Sequence, residues 1–252
     1  MKHNQRIKIR FYAELNDFLP ENLQKRVFTV NYHLQQTIKD LIESLNVPHI
    51  AVDLILVNSK PVDFNYIVQP NDYISVYPEI ETFNIDKINK LRKEPLRNTK
   101  FIVDVNLGQL AKNLRFLGFD SKYRNDYKDE KVVEISNREK RLILTRDIGL
   151  LKRNNVKRGY WVRNLNPDQQ TTEILRKFDL FGDIKPFKYC SACNGKIEAI
   201  DKSRIIDRLE PKTKKYYQQF YICKKCKKIY WKGSHFRKLE KKISAFSNNK
   251  AE

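Results

Sequence analysis

The feature that most constrains this chain is residues 100–120, Lys-Phe-Ile-Val-Asp-Val-Asn-Leu-Gly-Gln-Leu-Ala-Lys-Asn-Leu-Arg-Phe-Leu-Gly-Phe-Asp. Phe101, Ile102 and Val103 are consecutive apolar residues and predict a short buried strand. Asp104 follows at its carboxyl end. Leu107, Leu110, Ala111, Leu114 and Leu117 then recur along one helical face. Gly118 stands where a glycine commonly ends a helix, and Phe119 opens the next apolar stretch. Strand, helix and strand in such a short span make a βαβ unit, and such units build parallel sheets. In open α/β sheets the working site lies outside the carboxyl ends of the strands. Asp104 is expected at that edge.

The pattern repeats in Arg141-Leu-Ile-Leu-Thr-Arg-Asp147, an apolar strand with an aspartate just beyond it. Between the two lies an acidic loop, residues 125–130, followed by a helix expected over 131–137 through Val132, Val133 and Ile135. A short helix over 148–154 and a strand over 160–162 come next. Asn166 can cap a helix beginning at Pro167, whose apolar face holds Ile174, Leu175 and Phe178.

Two parallel strands thus each offer an aspartate, Asp104 and Asp147. The loop adds Asp126, Asp129 and Glu130, and the next strand is followed by Asn164 and Asp168. Carboxylates gathered on one edge repel unless a cation lies between them. Hard oxygen ligands suit Mg²⁺ or Mn²⁺, which can activate water against a phosphodiester. The same spacing serves Asp104 and Asp147 equally as helix N-caps, so both readings stay open.

Residues 6–12 alternate polar and apolar as a half-buried strand. Strands are also expected at 27–30, 54–57 and 73–77, with a helix over 37–45 and a turn at Asn58-Ser-Lys-Pro61. The order β-β-α-β-β resembles a β-grasp, ubiquitin-like domain over 1–83, similar to the small sulphur carriers of thiamine and molybdopterin synthesis. Those act through a free C-terminal Gly-Gly. Here the equivalent position continues into Glu-Ile-Glu-Thr-Phe83, which leaves a docking or structural module. Residues 84–99, polar and charged with Pro95, read as a linker or a short helix.

Cys190-Ser-Ala-Cys193 and Cys223-Lys-Lys-Cys226 contain every cysteine in the chain. Two C-x-x-C knuckles supply four thiolates for tetrahedral Zn²⁺, a closed structural site. The 29 residues between the pairs exceed the usual spacing, and an inserted hairpin would accommodate them. Disulfides are disfavoured in a chain whose default location is cytoplasmic. No run of apolar residues reaches the length of a membrane span.

The formal net charge of +20 is uneven. Residues 1–83 carry 8 Lys/Arg against 10 Asp/Glu, residues 84–183 carry 23 against 14, and residues 184–252 carry 19 against 6. The excess suggests a polyanion partner, most simply nucleic acid. Around the second knuckle, Lys224, Lys225, Lys227, Lys228, Lys232 and Arg237 interleave with Tyr230 and Trp231, which offers phosphate grip and base stacking. The aromatics could equally pack the ribbon's small core. Arg115 and Arg146 are further candidate RNA contacts, and His235 reads first as a structural hydrogen-bonder and otherwise as an acid or positioner near a phosphate.

The motif over 101–120, the Leu-Ile-Leu-Thr-Arg-Asp147 strand, the cysteine pairs and Tyr230-Trp-Lys-Gly-Ser-His235 together resemble the Mut-seven C-terminal RNase family, over roughly residues 100–240. The resemblance implies a PIN-like nuclease domain over 100–183, a zinc ribbon over 184–243 and a polar tail over 244–252. It also implies metal-dependent RNA cleavage, with Asp104 and Asp147 as main ligands and an acid of the 126–130 loop, Asp126 foremost, as a third. Some bacterial members carry an N-terminal ubiquitin-like domain, which opens a protein partner as another role. Asn106 stands where the family often has Met. A non-catalytic RNA-binding adaptor and a protein-interaction module are the competing readings.

Overall fold

A computed structural model describes residues 6–78, 100–186, 188–233, 241 and 244. The expected linker 84–99, His235, Arg237 and all but residue 244 of the expected tail lie outside the described residues. The described residues form two compact units. One combines the described residues before 79 with Asp147–Tyr160. The other combines residues 100–146 with the described residues from 161 onward.

In the first unit, β1 (Arg6–Phe11) and β2 (Phe28–Asn31) precede α1 (Ile38–Ser44), and β3 (Leu54–Val57), β4 (Lys60–Val62) and β5 (Tyr73–Tyr77) follow. The sheet order is β2-β1-β5-β3-β4, with β1 and β5 parallel. This is the β-grasp arrangement. Ile7, Ile9 and Phe11 alternate inward along β1 and are buried, as are Ile38, Leu41 and Ile42 of α1. Thr37 caps α1, its side chain accepting from the Asp40 amide at 3.1 Å.

The expected turn at 58–61 conceals a strand. Asn58 and Ser59 have φ of 49° and 67°, the two positive values of a type I′ hairpin turn, so Lys60 already belongs to β4. Pro61 is tolerated because β4 is an edge strand.

Residues 147–160 also depart from expectation. They group with the first unit and not with the rest of the expected central domain. Their helix α4 (Ile148–Lys152) buries Leu150 and Leu151. Lys39 Nζ donates to Asn154 Oδ1 at 2.7 Å, and Lys152 Nζ donates to Asn46 Oδ1 at 2.9 Å.

In the second unit, β6 (Phe101–Val103) leads into α2 (Gly108–Leu117) and β7 (Ser121–Lys122). Then come α3 (Asp129–Glu139) and β8 (Leu142–Thr145), and, after the segment assigned to the first unit, which ends within β9 (Gly159–Trp161), α5 (Pro167–Lys177). The sheet order is β7-β6-β8-β9, with β6 parallel to both neighbours. Phe101, Ile102, Val103, Ile143 and Leu144 are fully buried, which explains their unbroken apolar runs. Gly118 ends α2 with φ of 96°, and a Cβ there would lie 2.1 Å from the Lys185 carbonyl oxygen, so only glycine fits. Helix α3 begins two residues earlier than expected and takes Asp129 and Glu130 out of the loop.

The ribbon belongs to this unit. Its strands β10 (Ile197–Ile200), β11 (Phe220–Cys223) and β12 (Ile229–Trp231) are antiparallel. The residues between the cysteine pairs do contain an antiparallel strand pair, β10 with β11, and its connection is a 3-10 run, Lys202–Arg208, followed by α6 (Pro211–Tyr216). Ile205 and Leu209, four residues apart, pack with Phe220 and seat this connection on the ribbon. Among the described residues no helix is long and apolar enough to cross a membrane.

Candidate active site and metal centre

The β6–β8 register sets Val103 opposite Leu144, and the Asp104 amide donates to the Leu144 carbonyl at 3.0 Å. Asp104 therefore stands one residue past the strand's carboxyl end. It caps a 3-10 turn, Val105–Leu107, with Oδ1 accepting from the Val105 amide at 2.6 Å. Its Oδ2 accepts from the Thr145 hydroxyl at 2.7 Å. Asp104 is 5% exposed and Thr145 fully buried, so the carboxylate is held on neutral donors inside the protein. Thr145 is a functional partner that the strand's apolar pattern alone does not single out. The signal was a hydroxyl residue on an otherwise apolar strand.

Asp147 is exposed and caps α4, with Oδ1 accepting from the Gly149 amide at 2.7 Å. The cap reading thus holds for both aspartates. Asp126, the favoured third ligand, is exposed and bound by Arg124 through Nε and Nη2 at 2.8 and 2.6 Å. That hydrogen bond holds its carboxyl below the usual range. Asp129 and Glu130 lie in the first turn of α3, where the helix dipole favours them. Asp168 accepts from Asn113 Nδ2 at 3.3 Å on the α2–α5 contact, and Asn164 donates to Glu173 at 2.7 Å. No three of these acids are gathered within metal-holding distance among the described residues. Among the described residues, the cysteines are the only group of three or more His, Cys, Asp or Glu brought within metal-holding distance.

Two expected RNA contacts are also corrected. Arg115 is 2% exposed, and its guanidinium donates to the carbonyls of Ser121 (2.7 Å), Ser191 (3.1 Å), Ala192 (3.2 Å) and Tyr123 (3.4 Å). Arg146, partly buried, donates to the carbonyls of Val162, Arg163 and Asn164 and pins the loop after β9. Both arginines satisfy backbone groups that an α/β edge would otherwise leave bare.

The thiols of Cys190, Cys193, Cys223 and Cys226 all lie within 4.8 Å of one another. The closest pairs, Cys190–Cys226 and Cys193–Cys223, are 3.5 Å apart and form no disulfide. Four sulphurs at about 2.3 Å from a tetrahedral Zn²⁺ stand about 3.8 Å from one another, so the set fits zinc. Local backbone shapes each knuckle. Asn194 and Lys227 adopt positive φ of 61° and 59° after their cysteine pairs. Gly195 follows because a Cβ there would meet the Cys223 sulphur at 2.8 Å, a constraint legible in Cys-x-x-Cys-Asn-Gly but not read from it. Burial opposes the Cys190 thiolate. The Tyr230 hydroxyl and the amides of Cys193 and Ala192 outweigh it and bring the thiol down to about 7.

Tyr230 and Trp231, expected to stack on bases, are held structurally. The Tyr230 hydroxyl sits 3.0 Å from the Cys190 sulphur, with Lys228 over its ring. Trp231 packs against the Ile205–Leu209–Phe220 core. Lys225, Lys227, Lys228 and Lys232 are exposed around the second knuckle, and Lys224 is exposed while pairing with Glu198.

The first knuckle closes the edge of the nuclease-type sheet. In β7, the Ser121 amide donates to Asn194 Oδ1 at 2.9 Å, while Arg115 takes the Ser121 carbonyl and, across the knuckle, those of Ser191 and Ala192. Asn194 Nδ2 donates to Asp120 at 2.6 Å, and Asp120 receives Arg141 at 2.7 and 3.1 Å.

Comparison with known proteins agrees with this architecture. Residues 99–243 match the Mut7-C RNAse domain, and residues 4–84 match the Mut7-C ubiquitin domain. No curated protein matches. Among solved structures, the crystal structure of H. volcanii small archaeal modifier protein 1 aligns at 12% identity and a TM-score of 0.25, over 30% of this chain and 99% of that one. With its RNAse-domain match spanning more than half of its length, behind a ubiquitin-like domain of the type named for the same family, the chain belongs to the Mut7-C RNAse domain family.

Proposed function

We propose that the protein is a metal-dependent ribonuclease that hydrolyses RNA phosphodiester bonds, with Asp104 and Asp147 as the carboxylates of its site. The observation that carries this reading is Asp104. It is a 5% exposed carboxylate at the carboxyl end of a parallel strand, bonded to a hydroxyl and an amide and to no arginine or lysine among the described residues. A buried carboxylate without a cationic partner suits a divalent ion better than a purely structural role. Asp147, two residues past the neighbouring parallel strand, is the second acid in that frame. Mg²⁺ or Mn²⁺ bound there would supply Lewis acidity and a more acidic bound water. The chain's own part is to hold the Asp104 carboxylate oriented through Thr145 and Val105.

The exposed lysines of the second knuckle are the proposed phosphate contacts, and Zn²⁺ on the four cysteines is structural. The ubiquitin-like domain is proposed as a docking module for a protein partner.

The test is turnover of labelled single-stranded and hairpin RNA with Mg²⁺ or Mn²⁺ by wild type, Asp104→Asn and Asp147→Asn. The expected result is metal-dependent cleavage lost by at least a hundredfold in both variants. Equal cleavage by all three overturns the assignment. A second reading, an RNA-binding adaptor without catalysis, is favoured by the completeness of both N-caps. It predicts salt-sensitive RNA binding with no turnover under any metal.

A further inference from the structure

The insertion between the knuckles has no part in the zinc centre, yet it is a built element. Ile205 and Leu209 anchor it under Phe220. Lys202 Nζ donates to the Lys214 carbonyl at the end of α6 and to Gln218 Oε1 at 3.1 Å, which fixes that helix end. Arg208 Nη2 donates to the Lys227 carbonyl at 2.7 Å and ties the insertion to the second, lysine-rich knuckle. Tyr217 turns inward to the same core. Its neighbour Tyr216 turns outward and is 68% exposed. Lys212 and Lys215 are exposed on the same short helix, and Lys215 Nζ lies 5.5 Å from the Tyr216 ring centre.

A single exposed apolar residue needs no explanation. Here a packed scaffold holds a tyrosine in water with the Lys215 ammonium beside it and Lys212 one helical turn before it, on a ribbon whose segment is strongly basic. That is the composition of a stacking platform for unpaired bases. The ring takes a base face, and the lysines take the adjoining phosphates. The bases of a duplex are already stacked and leave such a ring no partner, so the fitting ligand is single-stranded RNA.

We propose that Tyr216, with Lys212 and Lys215, forms a single-strand RNA platform on the zinc ribbon that feeds substrate from outside the acidic site. This rests on the ribonuclease reading above, since it assigns that enzyme's RNA a docking point and a strand preference.

The test uses the zinc-loaded full chain carrying Asp104→Asn, so that bound RNA survives, and a fluorescent oligouridine as probe. Tyr216→Ala is expected to weaken binding roughly tenfold, Tyr216→Phe and Tyr216→Trp to retain it, and a duplex of the same length to be indifferent to all three. Lys212→Gln with Lys215→Gln should lower the slope of log affinity against log salt by about 1.4. Because Tyr216 is exposed, an unchanged melting temperature should accompany each variant. Unaltered oligouridine affinity in Tyr216→Ala overturns the platform and leaves the nuclease reading standing. Failure of the parent to bind any RNA overturns both. Equal loss in Tyr216→Ala and Tyr216→Phe also overturns the platform, because it would show that the hydroxyl and not the ring face is at work.

Discussion

The Thr145 hydroxyl donates to Asp104 Oδ2 at 2.7 Å across two adjacent parallel strands, and both side chains are buried. This bond fixes which way the carboxylate faces. Thr145→Val keeps shape but removes the donor, which should cost about 1–2 kcal/mol of stability. Cleavage should fall about tenfold or more if Asp104 orientation matters to the reaction, and Thr145→Ser should recover most of it. Melting temperature and single-turnover cleavage, measured together, separate the two effects.

Arg115 joins the knuckle to the sheet. Arg115→Met would leave the carbonyls of Ser121, Ser191 and Ala192 without their donor. At about 1–3 kcal/mol for an unsatisfied buried group, with some relief from water, the expected loss is about 3 kcal/mol, or roughly a 10 °C fall in melting temperature. Calorimetry of the zinc-loaded protein measures it. A loss below about 1 kcal/mol would mean the carbonyls find other partners.

Stripping zinc should lower the melting temperature of the RNAse-type domain itself, because its edge strand bonds to the first knuckle. Scanning calorimetry with and without a chelator tests this. A central transition that stays in place while the ribbon melts alone contradicts it.

Glu139 has burial working against its charge, outweighed by hydrogen bonds from Lys122, Arg141 and Arg138 that bring its carboxyl down to about 2. Asp120 is lowered in the same way by Arg141 and Asn194. Both folded values lie below the unfolded ones. Their stabilisation is therefore present above about pH 4.5 and is lost as pH falls toward 2. Glu139 alone contributes up to about 3 kcal/mol at neutral pH. Urea midpoints between pH 5 and pH 2.5 should fall more steeply in wild type than in Glu139→Gln, which has already lost that share.

The Asn58–Ser59 turn places Ser59 at φ of 67°. Ser59→Gly creates the residue pair that type I′ turns favour and should raise stability by about 0.5–1 kcal/mol. Chemical denaturation of the full chain measures the gain.

Much of this was legible in the sequence because it rests on periodicity and spacing. The strands at Phe101 and Leu142 are buried on both faces and so read as unbroken apolar runs. The glycine after α2 and the Asn166 cap are local signals with local causes. The cysteine set could be read from pair spacing alone. What failed to show depended on long-range partners. Arg115 reads as a surface cation until the knuckle residues some seventy-six positions later supply its carbonyls. Asp126 reads as a ligand because the sequence does not show that Arg124 will fold back onto it. Tyr230 and Trp231 carry the composition of an RNA surface, yet their neighbours in space are a thiol and a hydrophobic cluster.

The outward amide and carbonyl of β7 are occupied by Asn194 and Arg115. The first cysteine loop thereby acts as a shield over an otherwise open strand template. A cell short of zinc would hold copies whose shield is loosened, and two such copies could join their bare strands. Scarcity of the ion would then be registered as self-association before any change at the acidic centre.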